Sequence, residues 1–166
     1  MTTNTVMFEQ KICDPSNLAI QVTHLPRPIV FTNGVFDILH RGHATYLAQA
    51  RALGASLVVA ANSDASVKRL GKGDDRPINN QADRMAVLAA LESVSLVTVF
   101  TEDTPLNTIL QVKPDVLVKG GDWPIEKMVG AKEVLAWGGQ VHSIPFEFER
   151  STTATLNKIR QAAPSA

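Results

Sequence analysis

Ile29-Val30-Phe31-Thr32-Asn33-Gly34-Val35-Phe36-Asp37-Ile38-Leu39-His40-Arg41-Gly42-His43 is the stretch that decides the fold. Ile29-Val30-Phe31 is a short apolar, β-branched run of the kind that forms a buried strand. Asn33-Gly34 ends it, because glycine adopts backbone angles that other residues avoid. Ala44 to Leu53 (ATYLAQARAL) then forms an amphipathic helix, with Leu47, Ala50 and Leu53 on one face. The order is strand, glycine turn, two histidines three residues apart, and helix N-terminus. Such a terminus carries N–H groups without intrahelical partners and a partial positive charge, and a neighbouring glycine lets a phosphate approach the backbone. Two imidazoles beside it make a site suited to a polyphosphate.

Strands and helices alternate on both sides of this stretch. Residues 1–13 read as irregular. Asp14-Pro15 starts a short helix that runs to about His24 and is ended by Pro26 and Pro28. After the motif helix, closed by Gly54, Leu57 to Ala61 is a second buried strand, and Ser63 or Asp64 caps a helix through Leu70. Residues 71–79 (GKGDDRPIN) are a polar, glycine-rich loop with few apolar anchors, expected to be mobile without ligand. Asn80 caps a helix from Gln81 to Leu91. Leu96 to Phe100 is a third strand, and Asp103 or Thr104 caps a helix that stops before Pro114. Val116 to Val118 is a fourth strand, Ala131 to Ala136 a helix ended by Gly138-Gly139, and Val141 to Ile144 a fifth strand. Ser151-Thr152-Thr153 caps a last helix to about Ala162. This pattern predicts an α/β, Rossmann-like single domain: a five-stranded parallel sheet with helices on both faces. Residues 1–28 form a leading segment and residues 29–166 the domain proper. Ligands in such sheets bind beyond the carboxyl ends of the strands, near a topological switch point.

Composition narrows the function. Lys+Arg and Asp+Glu both number 16, so no bulk positive field exists to hold nucleic acid. Cys13 is the only cysteine, which excludes an internal disulfide and a cysteine-based zinc cluster. The first residues, MTTNTVMFEQK, lack the apolar core of a signal peptide or membrane span, and a cytoplasmic location is expected. Two other phosphate motifs fail. No Gly-x-x-x-x-Gly-Lys-Ser/Thr occurs. Gly71-Lys72-Gly73 opens like a dinucleotide fingerprint, but Arg76 stands at its third glycine and a helix rather than a strand precedes it.

Each candidate residue has a plain reading beside a functional one. His40 and His43 are phosphate ligands, ordinary helix-cap histidines, or metal ligands that would need a third partner such as His24, His142 or a carboxylate. Lys72 and Arg76 are solvated loop charges or a cationic arm that folds over phosphates. Asp37 and Asp64 follow strand ends, where aspartate often caps a helix. Arg84 opens a helix and has Asp83 or another carboxylate as a partner. Gly120-Gly121 weakens both helix and strand, which points to close backbone approach by a base or ribose. Trp123 is either core or a stacking surface.

His40-Arg41-Gly42-His43 matches the His-x-Gly-His signature of the nucleotidyltransferase superfamily, which includes cytidylyltransferases and the catalytic domains of some tRNA synthetases. The segments Thr32 to His40, Ala61 to Asp64, Arg76 to Asn79, Arg84-Met85, Val118 to Asp122 and Ser151 to Thr153 resemble its heptose 1-phosphate adenylyltransferase branch, over roughly residues 10 to 162. The resemblance implies transfer of AMP from ATP to D-glycero-β-D-manno-heptose 1-phosphate, giving ADP-heptose for the lipopolysaccharide inner core. It implies that His40 and His43 stabilise charge on the reacting phosphates, helped by Lys72 and Arg76. It places Thr32, Asn33, Gly34, Val35, Phe36, Lys119, Gly120, Gly121, Asp122, Ser151, Thr152 and Thr153 at the nucleotide. Asp37, Asn62, Ser63, Asp64 and Trp123, with Lys72 and Arg76, fall to the sugar phosphate. Mg²⁺ is expected on the nucleotide phosphates, with no protein ligand assigned. A homodimer is implied, and neither nucleic acid nor membrane is an expected partner. Arg150 stands before Ser151 where cytidylyltransferases carry a longer Arg-Thr-x-Gly-Ile insert, which favours the heptose branch and leaves Arg150 without a role. Relatives often join a sugar kinase to the transferase; 166 residues leave no room for one, so phosphorylation is expected on other chains. A cytidylyltransferase acting on glycerol 3-phosphate or a similar polyol phosphate, and a nucleotide-binding module without catalysis, are the alternatives.

Overall fold

The structure, a computed structural model, describes residues 6–71, 73–148 and 151–162. Lys72 and Arg150, both singled out from the sequence, lie outside the described residues. Five parallel strands form one sheet in the order β3-β2-β1-β4-β5: β1 (Ile29–Gly34), β2 (Ser56–Asn62), β3 (Leu96–Phe100), β4 (Val116–Gly120) and β5 (Gln140–Ile144). The order runs outward from β1 to β3, then reverses at β4. The switch point therefore lies between β1 and β4, where Val30 pairs with Val116 and Phe31 with Leu117.

Side-chain alternation along the strands builds two cores. Phe31, Val58, Ala60 and Leu117 point to one face, covered by α1 (Leu18–Val22), α5 (Leu106–Val112) and α6 (Ala131–Ala136). Val30, Leu57, Val59 and Val118 point to the other, covered by α2 (Arg41–Arg51) and α4 (Gln81–Ala89). Leu47 of α2 and Leu88 of α4 are fully buried there. Each contributes about 2 kcal/mol by leaving water. Both faces are buried, which is why the strands read as continuous apolar runs rather than alternating ones.

Several caps match the sequence. Asn80 accepts from Asp83 N at the start of α4, and Ser63 accepts from Ser66 N at the start of α3 (Asp64–Arg69). Asp14 accepts from Ser16 N, although the turn it opens (Pro15–Asn17) is a 3₁₀ turn leading into α1, which ends at Val22 rather than His24. Two expectations are corrected. Residues 7–13 are ordered: Met7–Lys11 is a 3₁₀ turn, Ile12 bridges to Val97 of β3, and Cys13 N donates to Val97 O at 2.8 Å. That order comes from pairing with a strand over 80 residues away, which local periodicity does not report. Neither Asp103 nor Thr104 caps α5, whose first turn follows Pro105; Asp103 instead pairs with Arg69 of α3 at 2.7 Å. The leading segment is stitched to the sheet, since Leu18 and Val22 belong to the first core.

Candidate active site

The motif turn leaves β1 at Gly34 and enters α2 with His40 as its N-cap residue, in extended geometry. Two following amides, His43 N and Ala44 N, donate to His40 O at 3.0 and 3.2 Å. This brings the two imidazoles together: their centroids are 3.8 Å apart and the rings nearly parallel, at 21°. Gly42 makes the stack possible, because a Cβ there would lie 3.0 Å from the His40 ring and 3.2 Å from Phe148 O. Phe36, a non-glycine at φ 49, packs its ring edge-on to His43 at 5.3 Å.

Burial, and then the neighbouring His40, lower the His43 pKa to about 4, partly offset by the Ile38 backbone. Both effects disfavour a proton on His43 while the cleft holds no anion. A phosphate placed against the pair would act in the opposite direction, because a nearby anion favours the protonated imidazole. Nδ1 of His43 is buried and, among the described residues, has no hydrogen-bond partner at proper geometry.

The histidines line a cleft of about 510 Å³ together with Val35, Phe36, Asp37 and Arg76. Gly71 and Phe146 complete its rim, and Ser151, Thr152 and Thr153 close it from α7 (Thr152–Ala162). Ser151 Oγ accepts from Ala154 N at 3.0 Å, and Thr152 Oγ1 donates to Ile38 O at 3.5 Å. Two helix N-termini thus converge on one space, a geometry that favours anions.

The opposite wall is ionic. Asp37 accepts from Arg76 Nε at 2.6 Å, Ile78 N at 2.9 Å and Asn79 N at 2.9 Å. Burial opposes its ionisation, but the Asn79 and Ile78 amides and Arg76 outweigh it and hold the carboxyl below its usual range. Arg76 is only 5% exposed. The loop expected to be held by few anchors is therefore tied down over Arg76 to Asn79, by a buried carboxylate rather than by apolar side chains. Asp37 takes Nε, and among the described residues no hydrogen bond of the terminal nitrogens of Arg76 accompanies it.

Other sequence candidates lie elsewhere. Thr32 is fully buried, its hydroxyl 2.6 Å from Tyr46 Oη. Burial raises the Tyr46 pKa to about 12, against hydrogen bonds with Thr32 and the Gly120 backbone. Asn33 and Lys119 meet across the switch point, Lys119 Nζ to Asn33 Oδ1 at 3.5 Å. With Trp123, Lys127 and Met128 they line a second cleft, of about 190 Å³. Trp123 is half exposed rather than core, its indole N–H donating to Gly120 O at 3.1 Å. Gly121 has φ 106, the left-handed backbone that its loop requires, and Asp122 beside it is exposed. Gly34 ends β1, where a Cβ would come within 2.9 Å of the Phe36 ring. Asn62, Ser63 and Asp64 are not among the residues lining either cleft. Asn62 donates to Ser66 Oγ at 3.0 Å, Ser63 caps α3, and Asp64 pairs with Arg84 at 2.8 Å. Arg84 was legible only as a helix residue with a carboxylate partner, and that partner is Asp64, not Asp83. The missed signal was its spacing: Arg84 falls four residues before Leu88, on the buried stripe of α4.

A cytidylyltransferase-like family model matches residues 31–156, which include both histidines and α7's first turn. The chain belongs to the cytidylyltransferase-like family. Within that family it is 58% identical over 156 residues to the D-beta-D-heptose 1-phosphate adenylyltransferase of Bordetella bronchiseptica, covering 93% of this chain and 96% of the relative. It is 59% identical over 133 residues to the bifunctional protein HldE of Pseudomonas paraeruginosa, covering 80% of this chain but only 28% of that longer protein. Among solved structures, the lipopolysaccharide core biosynthesis protein of Thermoplasma volcanium superposes with a TM-score of 0.59 at 30% identity, covering 74% of this chain and 98% of that one. Pantoate-beta-alanine ligase of Francisella tularensis superposes with a TM-score of 0.59 at 13% identity, over 86% of this chain and 68% of that one, a likeness of fold alone. Among the described residues no helix is long and apolar enough to cross a membrane.

Proposed function

We propose that this chain transfers AMP from ATP to D-glycero-β-D-manno-heptose 1-phosphate, releasing pyrophosphate and forming ADP-heptose for the lipopolysaccharide inner core. The observation that carries this is the near full-length likeness to a heptose 1-phosphate adenylyltransferase. The stacked histidine pair in an anion-favouring cleft is what such chemistry needs. An oxygen of the sugar phosphate attacks the α-phosphorus of ATP; the new O–P bond forms as the bond to the bridging oxygen of pyrophosphate breaks. The nucleophile is already an anion, so no strong base is required. The barrier lies in bringing polyanions together and stabilising charge on the transferred and leaving groups. In this proposal His40 and His43 face that charge, the N-termini of α2 and α7 hold phosphate oxygens, and Arg76, oriented by Asp37, reaches them with its terminal nitrogens. Lys72, which follows Gly71 in the sequence, is assigned a further point charge on the resemblance alone.

Mg²⁺ fits this site only as an ion that arrives with its own phosphate ligands. Both Asp37 oxygens are engaged, and the described residues hold no cluster of three or more acidic, histidine or cysteine side chains placed for a metal. When bound it would neutralise phosphate charge. The deciding experiment measures pyrophosphate release across a panel of sugar and polyol phosphates, with ATP and with CTP. Turnover with ATP and heptose 1-phosphate is expected. A preference for CTP and glycerol 3-phosphate would move the chain to the cytidylyltransferase reading, and nucleotide binding with no turnover on any acceptor would make it a non-catalytic module.

A further inference from the structure

Arg84 has the largest side chain among those that are fully buried. Sealing a guanidinium from water is expensive unless its donors all find acceptors. Neutralising Asp64 would need one contact, and Asp64 is itself partly exposed. Arg84 makes three more, all to backbone carbonyls of different segments: Val35 O at 2.7 Å, Asn62 O at 2.8 Å and Asn79 O at 3.0 Å. Two of these segments lead to opposite walls of the histidine cleft.

Val35 O belongs to the peptide that enters Phe36, the residue held at φ 49 with its ring against His43. Left-handed backbone at a non-glycine costs on the order of 1 kcal/mol or more and persists only where its surroundings enforce it. Asn79 carries the second path: its N–H donates to Asp37, which orients Arg76. We propose that Arg84 is a positioning residue of the transfer reaction, acting through Val35 and Phe36 on His43 and through Asn79 and Asp37 on Arg76. This rests on the proposed function. Arginine suits the task because its planar fork spans divergent acceptors, which a lysine ammonium does not.

The test is a double-mutant cycle between Arg84→Lys and His43→Ala, read as pyrophosphate release from ATP and heptose 1-phosphate, with thermal melts and circular dichroism on each protein. Arg84→Lys is expected to fold and to lose about 10- to 100-fold in kcat, with the KM for ATP changed much less. In the His43→Ala background the same substitution should cost at least about 3-fold less, because residues acting as a unit are not additive. Equal losses in both backgrounds, or an Arg84→Lys enzyme with wild-type kcat, would overturn the proposal. If Arg84→Lys does not fold, Arg84→Gln takes its place in the cycle, with no buried charge to accommodate. If neither variant folds, Arg84 is a core stabiliser and the positioning role fails. Wild-type protein that releases no pyrophosphate would instead sink the proposed function.

Discussion

The two walls of the histidine cleft are built on different scales of the chain. One wall consists of two groups that are each local, His40 and His43 as neighbours on a helix turn and Ser151 to Thr153 contiguous at the start of α7, although the two groups meet only across 114 residues, where Thr152 bonds Ile38. The other is assembled from afar, since Arg76 and Asn79 meet Asp37 across 39 and 42 residues. The local wall carries little formal charge of its own, and among the described residues the buried Nδ1 of His43 has no hydrogen-bond partner there. The long-range wall has most of its charge already matched, so its members are committed before any substrate arrives. Changes on the first wall should therefore strike turnover, and changes on the second should strike the fold as well.

The largest expected effect tests the first half of that contrast. His43→Ala should lower kcat by on the order of 10²-fold or more while the melting temperature moves little, because the imidazole serves charge that develops in the transition state. Turnover near wild type would remove the histidines from the chemistry. On the other wall, Arg76→Ala leaves Asp37 buried with its guanidinium gone. The pair is 6% and 0% exposed at its side chains. Breaking such a pair costs about 3–5 kcal/mol of stability, to be read by urea denaturation. A loss below about 1 kcal/mol would show that the two walls do not differ in the way described.

A third measurement uses pH. His43 has a folded pKa of about 4, below its ordinary value of 6.5. Between those values the unfolded chain binds more protons than the folded one, so stability rises with pH through that window and is lost as pH falls through it. Stability of the ligand-free wild type should drop from pH 6.5 towards 4 more steeply than that of His43→Gln. Binding of ATP within the same window should take up a proton, measurable by calorimetry in buffers of different ionisation enthalpy. Parallel pH curves for the two proteins would remove the burial of His43 as the cause.

Smaller effects are expected from the helix that closes the local wall. Ser151→Ala removes the side-chain cap on Ala154 N and should cost about 1 kcal/mol of stability, together with a few-fold rise in the KM for ATP. The exposed pair between Arg160 of α7 and Asp75 should matter least. Arg160→Ala is expected to change stability by no more than about 0.5 kcal/mol, and less in high salt. A larger loss would mean that α7 and the 73–79 loop are coupled as tightly as Asp37 and Arg76.

The order of strands and helices was legible because each rests on nearby residues. Apolar runs at Ile29, Leu57, Leu96, Val116 and Val141 needed no partner to declare themselves, and Asn80, Ser63 and Asp14 cap the turns beside them. The phosphate-suited turn was equally plain, since His40, Gly42 and His43 sit within four positions. Roles that depend on what a side chain meets were not. Thr32 reads like a site residue at a strand end, yet its hydroxyl faces Tyr46 inside the second core. Asn62 to Asp64 read like a loop beside the substrate, yet Ser66 and Arg84 occupy them. Lys11 donates to Leu91 O at 3.1 Å across 80 residues, a contact with no local trace in the sequence.

By itself, then, the sequence determined a parallel α/β sheet, the glycine turn and the histidine pair, because backbone propensity, capping and hydrophobic periodicity act within a few residues. Only the tertiary structure decided that Asp37 holds Arg76, that Arg84 ties Val35, Asn62 and Asn79 together, and that burial lowers the pKa of His43. Those outcomes follow from desolvation. A charge closed off from water must take whatever acceptor or donor the fold brings to it, and that partner is chosen by distance in space rather than along the chain.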